Sequence, residues 1–236
     1  MKRFYFLLII LFLTGCSSEI KEIETRIENR LAKTDTNVSF FQLKRDSYYI
    51  YQWNKDETFR DEIDEYKRID KENFPEKGKI LFTGSSSIRF WDSLEEDMKP
   101  LEVLNRGFGG AQISHVIYHF EEIIKPYDPK AIVFFCGTND LTALKTPKET
   151  VDDFKKFLSL VRNEFGNIKI YVIGIKPTLD RLYLDKEERI FNNLISSLAS
   201  NDAYLEYINI WDPMLNQDGT RMPELFIEDG LHMNEK

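Results

Sequence analysis

Five short apolar runs divide the later part of the chain: KILFTG at 79–84, LEVLNRG at 101–107, AIVFFCG at 131–137, IKIYVIGI at 168–175 and YLEYINI at 204–210. Bounded by Gly, Asn or Asp, each reads as a strand. Between them, segments near 86–98, 112–125, 148–164 and 185–199 place apolar residues at helical spacing, as Val151, Phe154, Phe157, Leu158 and Val161 do on one face. Strand and helix in alternation predict an α/β domain over 79–236, with a parallel sheet covered by helices on both faces. Upstream the pattern differs. Residues 16–37 are dense in charge, yet Ile20, Ile23, Ile27 and Leu31 recur every three or four positions, which predicts a short amphipathic helix or tether. Residues 38–78 form an extension whose first part, to about 60, carries Phe40, Phe41, Tyr48, Tyr49, Tyr51, Trp53 and Phe59. That is too aromatic for a disordered linker.

The first fifteen residues belong to a different class. Lys2 and Arg3 precede an apolar run from Phe4 to Leu13 that meets Thr14, Gly15 and Cys16. The run is about half the ~20 residues needed to cross a bilayer, and small residues follow it, as in a signal peptide. LTGC resembles a bacterial lipobox, which implies that residues 1–15 are removed and that Cys16 carries a lipid. The resemblance places the protein outside the cytoplasm, held to a membrane through its first mature residue.

Charge and cysteine content narrow the chemistry. Removal of 1–15 takes away only Lys2 and Arg3 among charged groups, so the net charge of −8 becomes −10. A balance so acidic disfavours nucleic-acid binding, which calls for a basic surface to replace counterions. Cys16 and Cys136 are the two cysteines of the sequence. With the first lipidated no disulfide framework forms, and Cys136, at the end of AIVFFC, is expected to pack as a small hydrophobe.

In open parallel sheets ligands bind beyond the carboxyl ends of the strands, and polar residues gather there in this sequence. GSSS at 84–87 follows the first run, NRGFGG at 105–110 the second and GTND at 137–140 the third. A serine between strand and helix serves as a helix cap or as a nucleophile, and a nucleophile needs a base. His115 and His119 lie four apart in an apolar helical segment and read as partly buried structural residues, with no third ligand spaced to complete a metal site. His232 differs, because Asp229 stands three residues before it in DGLH, near enough to orient an imidazole. The Asp-Gly pair also suits a plain turn. Glycines 107, 109 and 110 permit close backbone approach, and Asn139 offers a donor amide; both are features that suit the binding of an oxyanion.

GSSS, NRGFGG, GTND and DGLH together, in that order, resemble the conserved blocks of the SGNH hydrolases, also called the GDSL esterase and lipase family. The likeness runs over about 79–236. It is nearest to the bacterial branch with GSSSIRFW in the first block and to members similar to platelet-activating-factor acetylhydrolase. The resemblance implies a flavodoxin-like three-layer α/β/α sandwich with a five-stranded parallel sheet. Alignment from Gly84 to Trp91 makes Ser86 the nucleophile, with Ser85 where many members carry aspartate and Ser87 as the competing serine. It makes His232 the base and Asp229 its orienting acid. The oxyanion donors become the amides of Ser86 and Gly110 and the side chain of Asn139. IKPTLDR at 175–181 matches a further block, but Lys176 and Arg181 receive no role. The chain ends four residues beyond His232, where family members continue into a closing helix, so the resemblance implies a domain without that helix.

The implied activity is hydrolysis of short-chain acyl esters, O-acetyl groups on glycans among them, through an acyl-enzyme and without metal or organic cofactor. The implied partners are a small acyl ester or acetylated glycan and, through Cys16, a membrane. Phe90, Trp91, Phe108 and Phe226 are candidate walls for a short acyl pocket. An acyltransferase of the same fold shares the whole pattern, and a non-catalytic glycan-binding surface lipoprotein shares part of it.

Overall fold

The computed structural model describes residues 18–33 and 38–235. The expected signal peptide and the expected lipid-bearing Cys16 therefore lie outside the described residues. The chain divides into two compact units, Met1–Thr58 and Phe59–Lys236. The first contains helices α1 (Ser18–Leu31) and α2 (Phe40–Trp53). The apolar stripe from Ile20 to Leu31 thus lies on a helix, as its spacing predicts, and most of the aromatic residues of 38–60 lie on another. Ser39 caps α2 by accepting from Gln42 N, and Lys44 pairs with Glu24 of α1 at 2.6 Å.

In the second unit every apolar run becomes a strand: β1 (Ile80–Gly84), β2 (Val103–Gly107), β3 (Ala131–Phe135), β4 (Lys169–Ile173) and β5 (Leu205–Ile208). All pairings are parallel, in the order β2-β1-β3-β4-β5. The helices that matter below are α3 (Arg60–Glu72), α4 (Ser86–Arg89), α5 (Ile113–Tyr118), α6 (Thr138–Thr142), α7 (Pro147–Phe165) and α8 (Asp185–Ala199).

Alternate residues of β1 to β4 feed two cores, which is why those runs are largely apolar rather than alternating. Leu81, Leu104, Ile132, Phe134, Ile170 and Val172 enter one, with Val151, Phe154, Phe157, Leu158 and Val161 of α7 and Phe191 and Ile195 of α8. Phe82, Val103, Val133 and Phe135 enter the other, beneath Ile88, Trp91 and Leu94. α7 begins where its sequence dictates. Thr146 and Glu149 form a reciprocal capping box, and Pro147 occupies the first turn, where no amide partner is needed.

The helix expected near 86–98 is broken into α4 and a separate short α-helix at Leu94–Asp97. Trp91 Nε1 and Ser93 Oγ both donate to Asp97 Oδ2, at 2.6 Å each, and such local side-chain bonds compete with a continuous helix.

Candidate active site

The site lies at the carboxyl ends of β1, β2 and β3, where the strand order turns back around β1. Gly84 ends β1 with φ +127°, and a Cβ there would stand 2.0 Å from the carbonyl oxygen of Phe135 on β3. Only glycine permits that approach. The chain then turns into α4, with Ser85 N donating to Phe135 O at 2.9 Å and Ser86 as the first helical residue.

Ser86 Oγ lies 2.8 Å from His232 Nε2, and His232 Nδ1 lies 2.6 Å from Asp229 Oδ2. A carboxylate only accepts, so Nδ1 carries the ring proton and Nε2 is left to accept from the serine hydroxyl. Asp229 Oδ1 accepts the backbone amides of Leu231 and His232, at 2.8 and 2.9 Å. Both carboxylate oxygens are thereby used within one turn. Burial pushes the Asp229 carboxyl up, but the bonds from the His232 ring and the two amides outweigh it, and its pKa lies below the usual carboxylate value. The imidazole is also held edge-on by Phe90, with ring centroids 5.0 Å apart.

Ser87 is turned elsewhere. Its hydroxyl accepts from Lys176 Nζ at 2.5 Å. Of the two serines that compete for the nucleophile position, Ser86 is therefore the one that meets the imidazole. Lys176 is fully enclosed beside the ring of Phe135, and burial, with help from the charge of Arg181, pushes its ammonium pKa down to about 8.

The second-block loop is braced by α3, a helix to which the sequence pattern attached no role. Tyr66 donates to the carbonyl of Gly107, and Asp70 accepts from buried Arg106 at 2.6 Å. Glu62 takes the amide of Gly109 at 3.0 Å and pairs with Arg89 of α4 at 2.9 Å. With the Gly109 amide so engaged, Gly110 is the next position along the loop. In the third block Asn139 is buried at the start of α6, and its Nδ2 donates to Ala111 O at 3.0 Å. Asp140 anchors the segment by accepting from Ile113 N and from Lys145 Nζ, the latter at 2.8 Å.

Other candidates fall away from this cluster. His115 is enclosed and accepts the Gln112 amide at 3.0 Å, while His119 sits 3.1 Å from Glu122 between the rings of Phe108 and Tyr118. Among the described residues no three His, Cys, Asp or Glu side chains form a metal-binding group. Burial pushes the Cys136 thiol well above its ordinary pKa, and Sγ donates to Ala111 O. Of the proposed acyl-pocket walls, Phe108 is buried in the core and Trp91 packs on Phe82, whereas Phe90 flanks the imidazole.

A family model for the GDSL-like lipase/acylhydrolases matches residues 81–236. The N-acylneuraminate cytidylyltransferase of Escherichia coli O18:K1:H7 is 29% identical over 185 residues, covering 74% of this chain and 42% of that protein. The platelet-activating factor acetylhydrolase IB subunit alpha2 of Rattus norvegicus is 26% identical over 145 residues, covering 59% and 62%. The chain thus spans less than two thirds of either relative's length. In fold, it is similar to a GDSL-like lipase from Bacteroides thetaiotaomicron, with a TM-score of 0.60, 21% identity and coverage of 73% and 91%.

Proposed function

Since this chain belongs to the GDSL-like lipase/acylhydrolase family, a family of ester hydrolases, we propose that it is a serine esterase that removes short acyl groups through an acyl-enzyme. The observation that carries the reading is the unbroken relay Ser86–His232–Asp229, with contacts of 2.8 and 2.6 Å. In this mechanism Ser86 Oγ attacks the ester carbonyl carbon while His232 Nε2 takes its proton. Asp229 holds the ring and stabilises the imidazolium. The amides of Ser86 and Gly110 and the side chain of Asn139 receive the oxyanion, each such donor being worth about 2.7–4 kcal/mol in the transition state. His232 then protonates the departing alcohol. Water, activated by the same nitrogen, attacks the acyl carbon, releases the acid and returns the proton to Ser86.

Acetyl esters, including O-acetyl groups on glycans, are the substrates we favour. Phe90 crowds the imidazole from one side, one relative is named for acetyl hydrolysis and another for an acylated sugar acid. Lipidation of Cys16 would hold the enzyme at a membrane outside the cytoplasm, where envelope and environmental glycans are within reach. A fluorophosphonate probe tests the nucleophile: labelling mapped to Ser86 is expected, and labelling that survives in S86A refutes it. A p-nitrophenyl ester series tests the acyl group. Acetyl and butyryl esters should show higher kcat/KM than octanoyl, since each methylene left unhoused forfeits roughly 0.8 kcal/mol of burial. A steady rise to long chains would turn the reading toward lipid esters.

A further inference from the structure

The loop that follows β4 joins the two halves of the site. The amides of Leu179 and Asp180 donate to the carbonyl of Gly230, at 2.8 and 3.1 Å, so the loop is bonded to the turn that carries Asp229 and His232. From its end Arg181 reaches across and donates from Nη1 to Asn139 Oδ1 at 3.0 Å. Its side chain is only 11% exposed, and the charged groups facing it are Lys176, Asp180 and buried Glu188.

We infer that Arg181 is a positioning residue for the oxyanion site, acting through the amide of Asn139; this rests on the esterase reading above. A guanidinium only donates and a backbone carbonyl only accepts, so the two neighbours fix the amide in one sense. Oδ1 must face Arg181 and Nδ2 must face Ala111. One Nδ2 proton serves Ala111 O, and the second remains for an oxyanion. Without Arg181 only the Ala111 carbonyl holds the amide, so its Nδ2–H is aimed less firmly at a developing negative charge. The buried cation also polarises the amide it touches, which strengthens Nδ2–H as a donor in a poorly solvated site. Lysine keeps the charge and a donor but lacks the planar fork, so it should replace arginine only in part.

The test is a double-mutant cycle on kcat and KM for p-nitrophenyl acetate, with thermal unfolding of each variant. N139A should lower kcat by about 10²- to 10³-fold, the usual effect of losing one oxyanion donor. R181A should lower kcat by about 10- to 100-fold with KM within about twofold, and R181K should recover part of that loss. In the N139A background R181A should cost no more than about twofold further, because its target is gone. Losses that multiply in the double variant, or a raised KM at constant kcat, overturn the inference. Should R181A fail to unfold cooperatively, the cycle is run with R181K, and losses that multiply there overturn it equally. S86A separates the two claims: an active S86A removes the esterase reading itself, whereas an inactive S86A with multiplying R181 losses removes this inference alone.

Discussion

Glu188 offers a measurement of how much stability the site's surroundings give up. It is fully enclosed on α8, and among the described residues neither carboxylate oxygen has a hydrogen-bond partner. Burial pushes its pKa from 4.5 up to about 8, although Arg181, Arg221 and Lys176 pull it back. Below pH 4.5 the carboxyl is protonated in both folded and unfolded chains and contributes nothing. Between 4.5 and about 8 the unfolded chain has lost the proton while the folded chain keeps it. Stability therefore falls as pH rises across that window, by about 1.4 kcal/mol per pH unit. The accumulated cost is on the order of 3 kcal/mol at pH 7 and on the order of 5 kcal/mol above pH 8. Glutamine has the shape of the protonated acid and does not titrate. E188Q should match the parent near pH 4 and exceed it by on the order of 3 kcal/mol at pH 7. Urea unfolding at closely spaced pH values, followed by tryptophan fluorescence, gives the difference between the two proteins and cancels the titration of groups not coupled to Glu188. Parallel stability curves, or an E188Q protein weaker than the parent at pH 7, would refute the reasoning.

S86A and H232A should each lower kcat by about 10³-fold or more, and the double variant should be little worse, because nucleophile and base act as one unit; additive losses would break the triad assignment. S87A should remain active, since its hydroxyl accepts from Lys176 rather than meeting the imidazole. Gly84→Ala should cost at least about 3 kcal/mol in urea unfolding, because a Cβ 2.0 Å from a backbone oxygen at positive φ adds strain to overpacking. An alanine variant as stable as the parent would show that β1 and β3 separate more easily than their pairing implies.

Most of the sheet was legible because β1 and β3 are buried on both faces and so write continuous apolar runs, and the flanking strands keep enough apolar positions between turn residues to be bounded. α7 and α8 were legible because their long amphipathic stripes are local signals, as is the capping box of α7. The helix near 86–98 was not, because Asp97 draws in Trp91 Nε1 and Ser93 Oγ, and helical periodicity does not register that competition. The role of α3 was hidden for another reason. Glu62, Tyr66 and Asp70 are ordinary polar positions of a surface helix in the sequence. Their partners, Gly109, Gly107 and Arg106, lie 36 or more residues away.

The same distinction orders the site. Asp229 and His232 could be paired from sequence because the bonds between them are within three residues: one carboxylate oxygen closes the turn and the other takes the ring. Ser86 could be separated from Ser87 only by alignment, since both lie in one helical turn and their difference depends on His232 and Lys176, each far along the chain. IKPTLDR carried no readable role because its contacts all lie far along the chain: Lys176 with Ser87, Leu179 and Asp180 with the carbonyl of Gly230, and Arg181 with the amide of Asn139. Those contacts also hold the turn that carries His232 in register. The turn is bonded to the loop after β4, and that loop is bonded through Arg181 to Asn139 in the segment after β3. A displacement of His232 therefore strains the oxyanion site as well. The proposed base and the proposed oxyanion donor are held by one connected network rather than by two independent loops.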